Sequence, residues 1–409
     1  MAHTSTIIST YLESEIARAA FPGAQYAVGE QGEIIYEAAL GHAVIEPDRV
    51  AATLDTIYDL ASLTKPLVTA LLAVILAERG IWDLRAPAAE YLSELRQSKR
   101  PLGLIDLLTH TSGLPNWRPL YLETRDPAGV PAYIAGLIDE LADAQSLPVV
   151  YSDLNYILLG MAIERVTGLR LDRLAQQEII EPLELKRTMF NPPPELKREI
   201  AATEHGQSFE HANADCDLAT RRHGDTETRR RGDAATDNST LSGTPSTDSS
   251  LAASPRPRVA ASHHWRDGMI WGEVHDGNAY YRGGVAGHAG LFSTAREVFQ
   301  IANQCLPGSR LVSESGLGWF TKNLSPGRET ARSIGWVLAA TKDCSAGAAL
   351  PPTGFGHNGF TGTSVWMDAA ARRVFVLLTN RVHPHIGPIE MKAVRQRFNT
   401  LAIEALNGS

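Results

Sequence analysis

Residues Asp59–Thr69 read DLASLTKPLVT, and the part played by one serine in this stretch decides what kind of chain this is. Ser62 stands three residues ahead of Lys65, at the head of an apolar run, in a sequence with only 7 lysines among 409 residues. No other lysine follows a serine at this spacing. On a helix, residues three apart share a face with Cβ atoms about 5–6 Å apart, so Lys65 can direct its amine at the Ser62 hydroxyl. Serine alone is a poor nucleophile. A lysine in a low-dielectric pocket holds its proton less tightly and can serve as the base that activates the hydroxyl. At a helix start the backbone N–H of Ser62 also faces a place where negative charge is stabilised. The plainer alternative makes Ser62 a helix cap and Lys65 its solvated neighbour, and the spacing is common enough that the pair alone favours this alternative.

Outward from this stretch, both ends of the chain carry strand signals. AQYAVGEQGEIIYEAAL reads as two short strands around Glu30-Gln31-Gly32, and TSVWMDAAARRVFVLLTN repeats the pattern around a polar turn at Asp368–Arg372. Near the amino terminus Ile8, Leu12, Ile16 and Ala19 fall on one helical face, with Glu13, Glu15 and Arg18 interleaved. Between Pro388 and Leu406 the residues Met391, Val394, Phe398, Ala402 and Leu406 do the same. From Leu67 to about Glu184 the pattern is mostly helical, with loops at Pro101, Pro115 and Pro148. The expected fold class is therefore α/β of the α+β type: an antiparallel sheet flanked by N- and C-terminal helices, with a mostly helical region inserted between them.

Residues 205–262 differ from their surroundings. They hold one aromatic residue, Phe209, four Leu or Val residues, and runs such as RRRGDAATDNSTLSGTPSTDSS. Such a composition cannot bury enough apolar surface to offset the entropy of ordering the backbone. The segment is expected to be a disordered insertion that splits one discontinuous catalytic domain into residues 1–204 and 263–409.

Bulk composition narrows the partner. With 46 acidic and 38 basic residues the net charge is -8, so no overall positive field draws the chain to nucleic acid or anionic lipid. A small-molecule or peptide partner is expected. The cysteines Cys216, Cys305 and Cys344 are far apart and odd in number, which fits neither a disulfide framework nor a CxxC metal site. No run of 18 apolar residues occurs, so no membrane span is expected. The first residues lack a basic start, an apolar stretch and a small-residue cleavage site. As written the chain reads as cytoplasmic, and a mis-assigned start would conceal an export signal.

Several familiar motifs fail. GFGHNG, Gly354–Gly359, matches GxGxxG in form, but a strand-like FTGTSVWMD follows where a dinucleotide loop needs a helix. No lysine precedes Ser or Thr as a Walker A loop requires, and neither HExxH nor GxSxG occurs. His263-His264 and His383-Pro384-His385 read as surface loop histidines.

Two further segments change the reading of Ser62. VYSDLNYILLG sets Tyr151, Ser152 and Asp153 just before an apolar helix, and GHNGFTGTSVWMD sets His357, Asn358 and Gly359 at the start of a strand. In these residues the chain resembles the serine β-lactamase and penicillin-binding protein family, closest to its class C-like branch of β-lactamases, esterases and D,D-peptidases. That family carries SxxK, YxN and KTG or HxG in this order. Here they stand as Ser62-x-x-Lys65, Tyr151-Ser152-Asp153 and His357-Asn358-Gly359. The resemblance extends to LLTHTSGLP (Leu107–Pro115), GGVAGHAGLFSTA (Gly283–Ala295) and LLTNRVHP (Leu377–Pro384), and covers roughly residues 20–204 and 263–405.

The resemblance implies a β-lactamase-like fold and a serine hydrolase that works through an acyl-enzyme, without metal or organic cofactor, on small esters, β-lactams or D-alanyl peptides. Ser62 would attack, and Lys65 would lower the pKa of Tyr151 so that the pair moves the proton. The backbone N–H of Phe360 would join that of Ser62 as the oxyanion hole, with Gly359 allowing close approach. Two departures matter. Asp153 replaces the amide of YxN, which would contact the acyl side chain. His357 replaces the lysine of KTG, and an ordinary histidine titrates near ~6.5. Small neutral esters should then be turned over faster than penicillins, with carboxylate substrates improving as pH falls toward ~6. The competing reading is a penicillin-binding or sensor protein that acylates slowly or not at all. His110 with Ser112-Gly113 reads as a helix end and turn, and Thr294 with Glu297 as a capping box.

Overall fold

The computed structural model of the chain describes residues 4–141, 149–208, 210–214, 266–387 and 389–408. Ten strands occur among them: β1 Gly23–Glu30, β2 Glu33–Val44, β3 Val50–Ala51, β4 Tyr58–Asp59, β5 Met189–Phe190, β6 Leu291–Ser293, β7 Val337–Leu338, β8 Phe355–Asn358, β9 Ser364–Asp368 and β10 Arg373–Thr379. Seven form one antiparallel sheet in the order β3-β2-β1-β10-β9-β8-β7, and β4-β6-β5 form a small second sheet. Both hairpins read from the sequence are present. The β1–β2 turn has Gln31 and Gly32 at φ 55° and 86°, the left-handed geometry that matches the twist of a two-residue hairpin.

The two ends of the chain meet at the centre of the large sheet, where β1 pairs with β10 from Ala24↔Thr379 to Glu30↔Arg373. RVFVLLT is apolar at nearly every position because both faces of β10 are covered. Phe375 and Leu377 pack with Ile8, Leu12 and Phe398 of the terminal helices Thr6–Ala17 and Met391–Asn407. Val374, Val376 and Leu378 face the opposite core with Leu67, Leu71 and Phe299. The N-terminal helix stops at Ala17, earlier than its apolar spacing suggests. Ala19 is exposed at φ 57° where the chain turns back, and Ala20 and Phe21 are buried instead.

The segment after β4 changes pitch twice, from a 3₁₀ turn (Ala61–Leu63) through a π-helical stretch (Lys65–Ala70) to the α-helix Leu71–Glu78. Over Ala61–Glu78 its mean hydropathy of 1.5 has the strength and length of a membrane span, yet 83% of it is buried inside the molecule. The sequence had shown no such run because Ser62, Thr64, Lys65 and Thr69 interrupt it. Beside it lies the helix Asp153–Thr167, buried without a break from Leu154 to Ile163.

Two other expectations shift. Residues 205–208 and 210–214 are packed, with Gln207, Glu210 and Ala214 buried, so the boundary set at 205 falls too early. Averaging composition over a long window hid this start. The remainder of that segment, with Cys216 and His263-His264, lies outside the described residues, as does Pro148. His383 is not a surface residue: it is buried, accepts the Ile45 N–H at Nε2 (2.9 Å), and contacts the Thr203 carbonyl through Nδ1 (3.0 Å).

Candidate active site

The Ser62 turn is tied to the β8–β9 connection. Ala61, at φ 46°, has its N–H held by Asp59 Oδ1 at 2.8 Å. Thr361 Oγ1 donates to the Asp59 carbonyl (2.8 Å) and Thr363 Oγ1 to the Leu60 carbonyl (3.1 Å). These straps pull Gly359 so close that a Cβ there would lie 2.5 Å from the Leu60 oxygen. Arg395, on the C-terminal helix, donates from Nη2 to the Gly359 carbonyl at 3.0 Å and the Thr363 carbonyl at 3.1 Å. In a planar trans peptide C=O and N–H point opposite ways, so fixing the Gly359 oxygen aims the Phe360 N–H away from Arg395. Arg381 Nε holds the Phe360 carbonyl at 2.8 Å. Arg395 belongs to no motif, and Arg381 lies within LLTNRVHP without any sequence signal of this contact. Burial pushes the Arg395 guanidinium down to about 9.

Lys65 is fully buried, and three oxygens surround its Nζ: Ser62 Oγ at 2.9 Å, the His288 carbonyl at 3.1 Å and Asp153 Oδ1 at 2.7 Å. Burial acts to lower the lysine pKa, but the Asp153 carboxylate and then Tyr151 outweigh it, so the pKa is raised. Two expectations change here. Lys65 is held as an ammonium, and Asp153 pairs with it rather than offering itself to an acyl side chain. Tyr151 is half-buried, with its ring 5.0 Å from Lys65 Nζ and between His110 (4.6 Å) and His357 (5.6 Å). Lys65 and Ser62 both act on the ionisation of its oxygen, but neither makes a hydrogen bond to it. Burial raises the Tyr151 pKa; Lys65 lowers it, Asp153 raises it again, and the phenol ends above its ordinary value. The expected lowering by Lys65 is present and outweighed.

His110 does more than end a helix. It is buried at φ 58°, its Nδ1 accepts the Ser152 N–H at 3.0 Å, and its ring supports Tyr151. Thr294 caps its helix, accepting the Glu297 N–H at 3.4 Å, but Glu297 turns away to the Arg187 N–H (2.9 Å) and Thr188 hydroxyl (2.6 Å) and leaves the capping box half made.

His357 lies buried with Nδ1 2.8 Å from the Asn358 carbonyl. Burial, then the Lys65 and Arg332 cations, hold its pKa well below 6.5, which favours the neutral imidazole. This direction runs against the expected gain of charge there on mild acidification. A permanent cation stands nearby all the same: Arg332 Cζ is 5.5 Å from the Tyr151 ring centroid. Nε and Nη1 of Arg332 are buried without a hydrogen-bond partner, and among the described residues no carboxylate pairs with it. Its only sequence signal is an arginine set into ARSIGWVL.

Ser62, Tyr151, Asp153, His357, Phe360 and Arg332 line one cleft of about 1050 Å³, and Glu210 and Asp276 line it too. Burial and then Asp276 push the Glu210 carboxyl up to about 7. Burial works against ionised Asp276, but the His288 imidazole 2.8 Å away holds it below the usual carboxylate range. Among the described residues no group of three or more His, Cys, Asp or Glu is arranged to hold a metal ion.

This cleft belongs to a known architecture. A class C β-lactamase from Rhodobacter sphaeroides superposes with a TM-score of 0.66 at 18% identity, over 99% of this chain and 100% of that one. EstCE1, a hydrolase with promiscuous acyltransferase activity, superposes at 0.63 and 17% identity over 98% and 97%. A putative D-alanyl-D-alanine carboxypeptidase of Escherichia coli O157:H7 is 28% identical over 413 residues, spanning 91% of this chain and 82% of that protein. The Beta-lactamase family model matches residues 8–222 and 195–396. The chain belongs to the Beta-lactamase family and is a serine hydrolase of that family.

Proposed function

We propose that the protein cleaves ester and amide bonds through an acyl-enzyme on Ser62. The observation that carries this reading is the 2.9 Å contact of Lys65 Nζ with Ser62 Oγ, at the mouth of a cleft that Tyr151 also lines. Ser62 attacks the carbonyl, the Ser62 and Phe360 N–H groups receive the oxyanion, and Tyr151, a phenol rather than a phenolate, donates to the leaving group. Water then releases the acyl group.

Small esters are the substrates most readily cleaved, because an alkoxide or phenoxide leaves with less help than an amine. Arg332 offers an unpaired cation to a substrate carboxylate, so penicillins and D-alanyl peptides fall inside the substrate range. The carboxypeptidase naming of the E. coli relative supports the second class.

Intact-mass measurement tests the reading. The protein is exposed to a fluorophosphonate and, separately, to a penicillin, and followed over time beside the Ser62→Ala protein. Adducts on the wild type alone, with the penicilloyl adduct decaying, are expected. A penicilloyl adduct that never decays would make the protein a slow acylator of the sensor type. No adduct with either reagent overturns the proposal.

A further inference from the structure

Asp153 is the position where the chain departs most sharply from the boxes it otherwise keeps. It opens the helix Asp153–Thr167, where the helix dipole favours a carboxylate, and its N–H donates to the Asn116 carbonyl at 2.9 Å. Those facts explain an acid at the helix start. They do not explain why its Oδ1 reaches 2.7 Å from Lys65 Nζ. With Ser62 Oγ at 2.9 Å and the His288 carbonyl at 3.1 Å, both accepting hydrogen bonds, three oxygens surround Lys65 Nζ. An ammonium has no lone pair and cannot take the Ser62 proton until it has given one up. A backbone carbonyl is too weak a base to receive it, and Ser62 is the donor.

We infer that Asp153 is the terminal proton acceptor in the activation of Ser62, acting through Lys65. The inference rests on the acyl-enzyme reading above. As the Ser62 oxygen bonds to the substrate carbonyl carbon, its proton passes to Lys65 Nζ while a Lys65 proton passes to Asp153 Oδ1. Lys65 is an ammonium before and after, Asp153 becomes a carboxylic acid, and the negative charge moves to the tetrahedral oxyanion. On collapse the leaving group takes the Tyr151 proton, and the Asp153 proton returns through Lys65 to the phenolate. The Asp153 contact lies off the hydrogen-bond axis, so transfer requires rotation of the carboxyl about its broad χ2 torsion. The other ionisable groups facing the pair are Tyr151, His110, His357 and Arg332 on one side and Asp276, bonded to His288, on the other. Of these groups only Asp153 forms an ion pair with Lys65.

The test is the rate of fluorophosphonate labelling at Ser62 between pH 6 and 10, because fluoride departs without an acid and the base step is isolated. The wild-type rate should stay level from pH 6 to 9, since the pair holds the same transferable proton throughout. In the Asp153→Asn protein the base must be free Lys65, whose ammonium no longer has a carboxylate beside it. Labelling should be at least tenfold slower than wild type at pH 6, with the gap closing as pH rises. A loss by the same factor at every pH indicates that Asp153 only positions Lys65 and overturns the inference, as do unchanged rates. A proton inventory on the wild type, which needs no variant, should be curved for two protons in flight; a straight line also overturns it. If Ser62→Ala still labels, the acyl-enzyme reading itself fails, a result distinct from all of these.

Discussion

Replacing Gly359 with alanine should disable the oxyanion hole without dismantling the fold. A Cβ at this position would stand 2.0 Å from Thr363 Oγ1 and 2.5 Å from the Leu60 carbonyl oxygen. The threonine can rotate away, but Leu60 is backbone and two residues from Ser62. Ordinary contact begins at 3.4 Å, so the β8 end and the Ser62 turn must part by the difference, 0.9 Å. The Phe360 N–H travels with that strand end. Misplacement of a reacting geometry by about 1 Å costs on the order of 10²-fold in rate. Loss of one oxyanion donor costs about 10²–10³-fold. We therefore expect kcat for p-nitrophenyl butyrate to fall at least 10²-fold with KM little changed, because the contact is made in the transition state. Overpacking of this kind costs roughly 1–3 kcal/mol, so the protein should still melt cooperatively at a somewhat lower temperature. A Gly359→Ala protein that keeps kcat within threefold of wild type would refute the placement of the oxyanion hole.

Arg332→Met should raise the melting temperature, because exchanging a buried ion for a packed apolar side chain is often neutral or stabilising by about 1–4 kcal/mol, while kcat/KM for a penicillin falls at least tenfold relative to a neutral ester. A lower melting temperature would show that the guanidinium is compensated in the fold. The penicillin-to-ester ratio of kcat/KM should gain no contribution from His357 between pH 8 and 6, since that residue titrates well below 6.5; a ratio that climbs steeply toward pH 6 in the wild type but not in His357→Gln contradicts this. Glu210 has its folded-state pKa raised from 4.5 to about 7, so the folded chain binds its proton more tightly and stability falls as pH rises through that window. Glu210→Gln should accordingly stabilise the protein by a few kcal/mol, about 3 at most, at pH 8 and not at pH 4.5, read from urea midpoints; equal effects at both pH values would refute it.

Much of the frame could be read directly, and the reason is periodicity. Alternation and turn chemistry identify both hairpins, and helical spacing identifies the terminal helices, because these patterns are local consequences of burial on one face. That Lys65 meets Ser62 was legible for a different reason: fixed spacing beside an apolar run. What escaped were contacts made across long stretches of chain. Arg395 meets the Gly359 carbonyl from a helix whose apolar pattern says nothing about its one buried cation. Arg332 approaches Tyr151 from a segment with no motif. The Asp153–Lys65 pair reverses the expected lysine pKa, since the spacing of each residue is visible but their 2.7 Å separation is not. The packed start at Gln207–Ala214 was lost to its polar neighbours.

The central pairing of β1 with β10 joins residues more than three hundred positions apart, and so do the Thr363 strap on Leu60 and its neighbour on Asp59. During synthesis a chain grows from its N-terminus at about 5–20 residues per second, and contacts of such high sequence separation cannot form until their later partner emerges. For this molecule the later partners are the last strands and Arg395. The Ser62 turn is thus translated about three hundred residues before the threonines that strap it. A message cut short before β9 yields a polypeptide holding the candidate nucleophile, lysine and tyrosine, yet no assembled oxyanion peptide. Assembly around the candidate nucleophile therefore waits on Thr361, Thr363 and Arg395, whatever has folded before them.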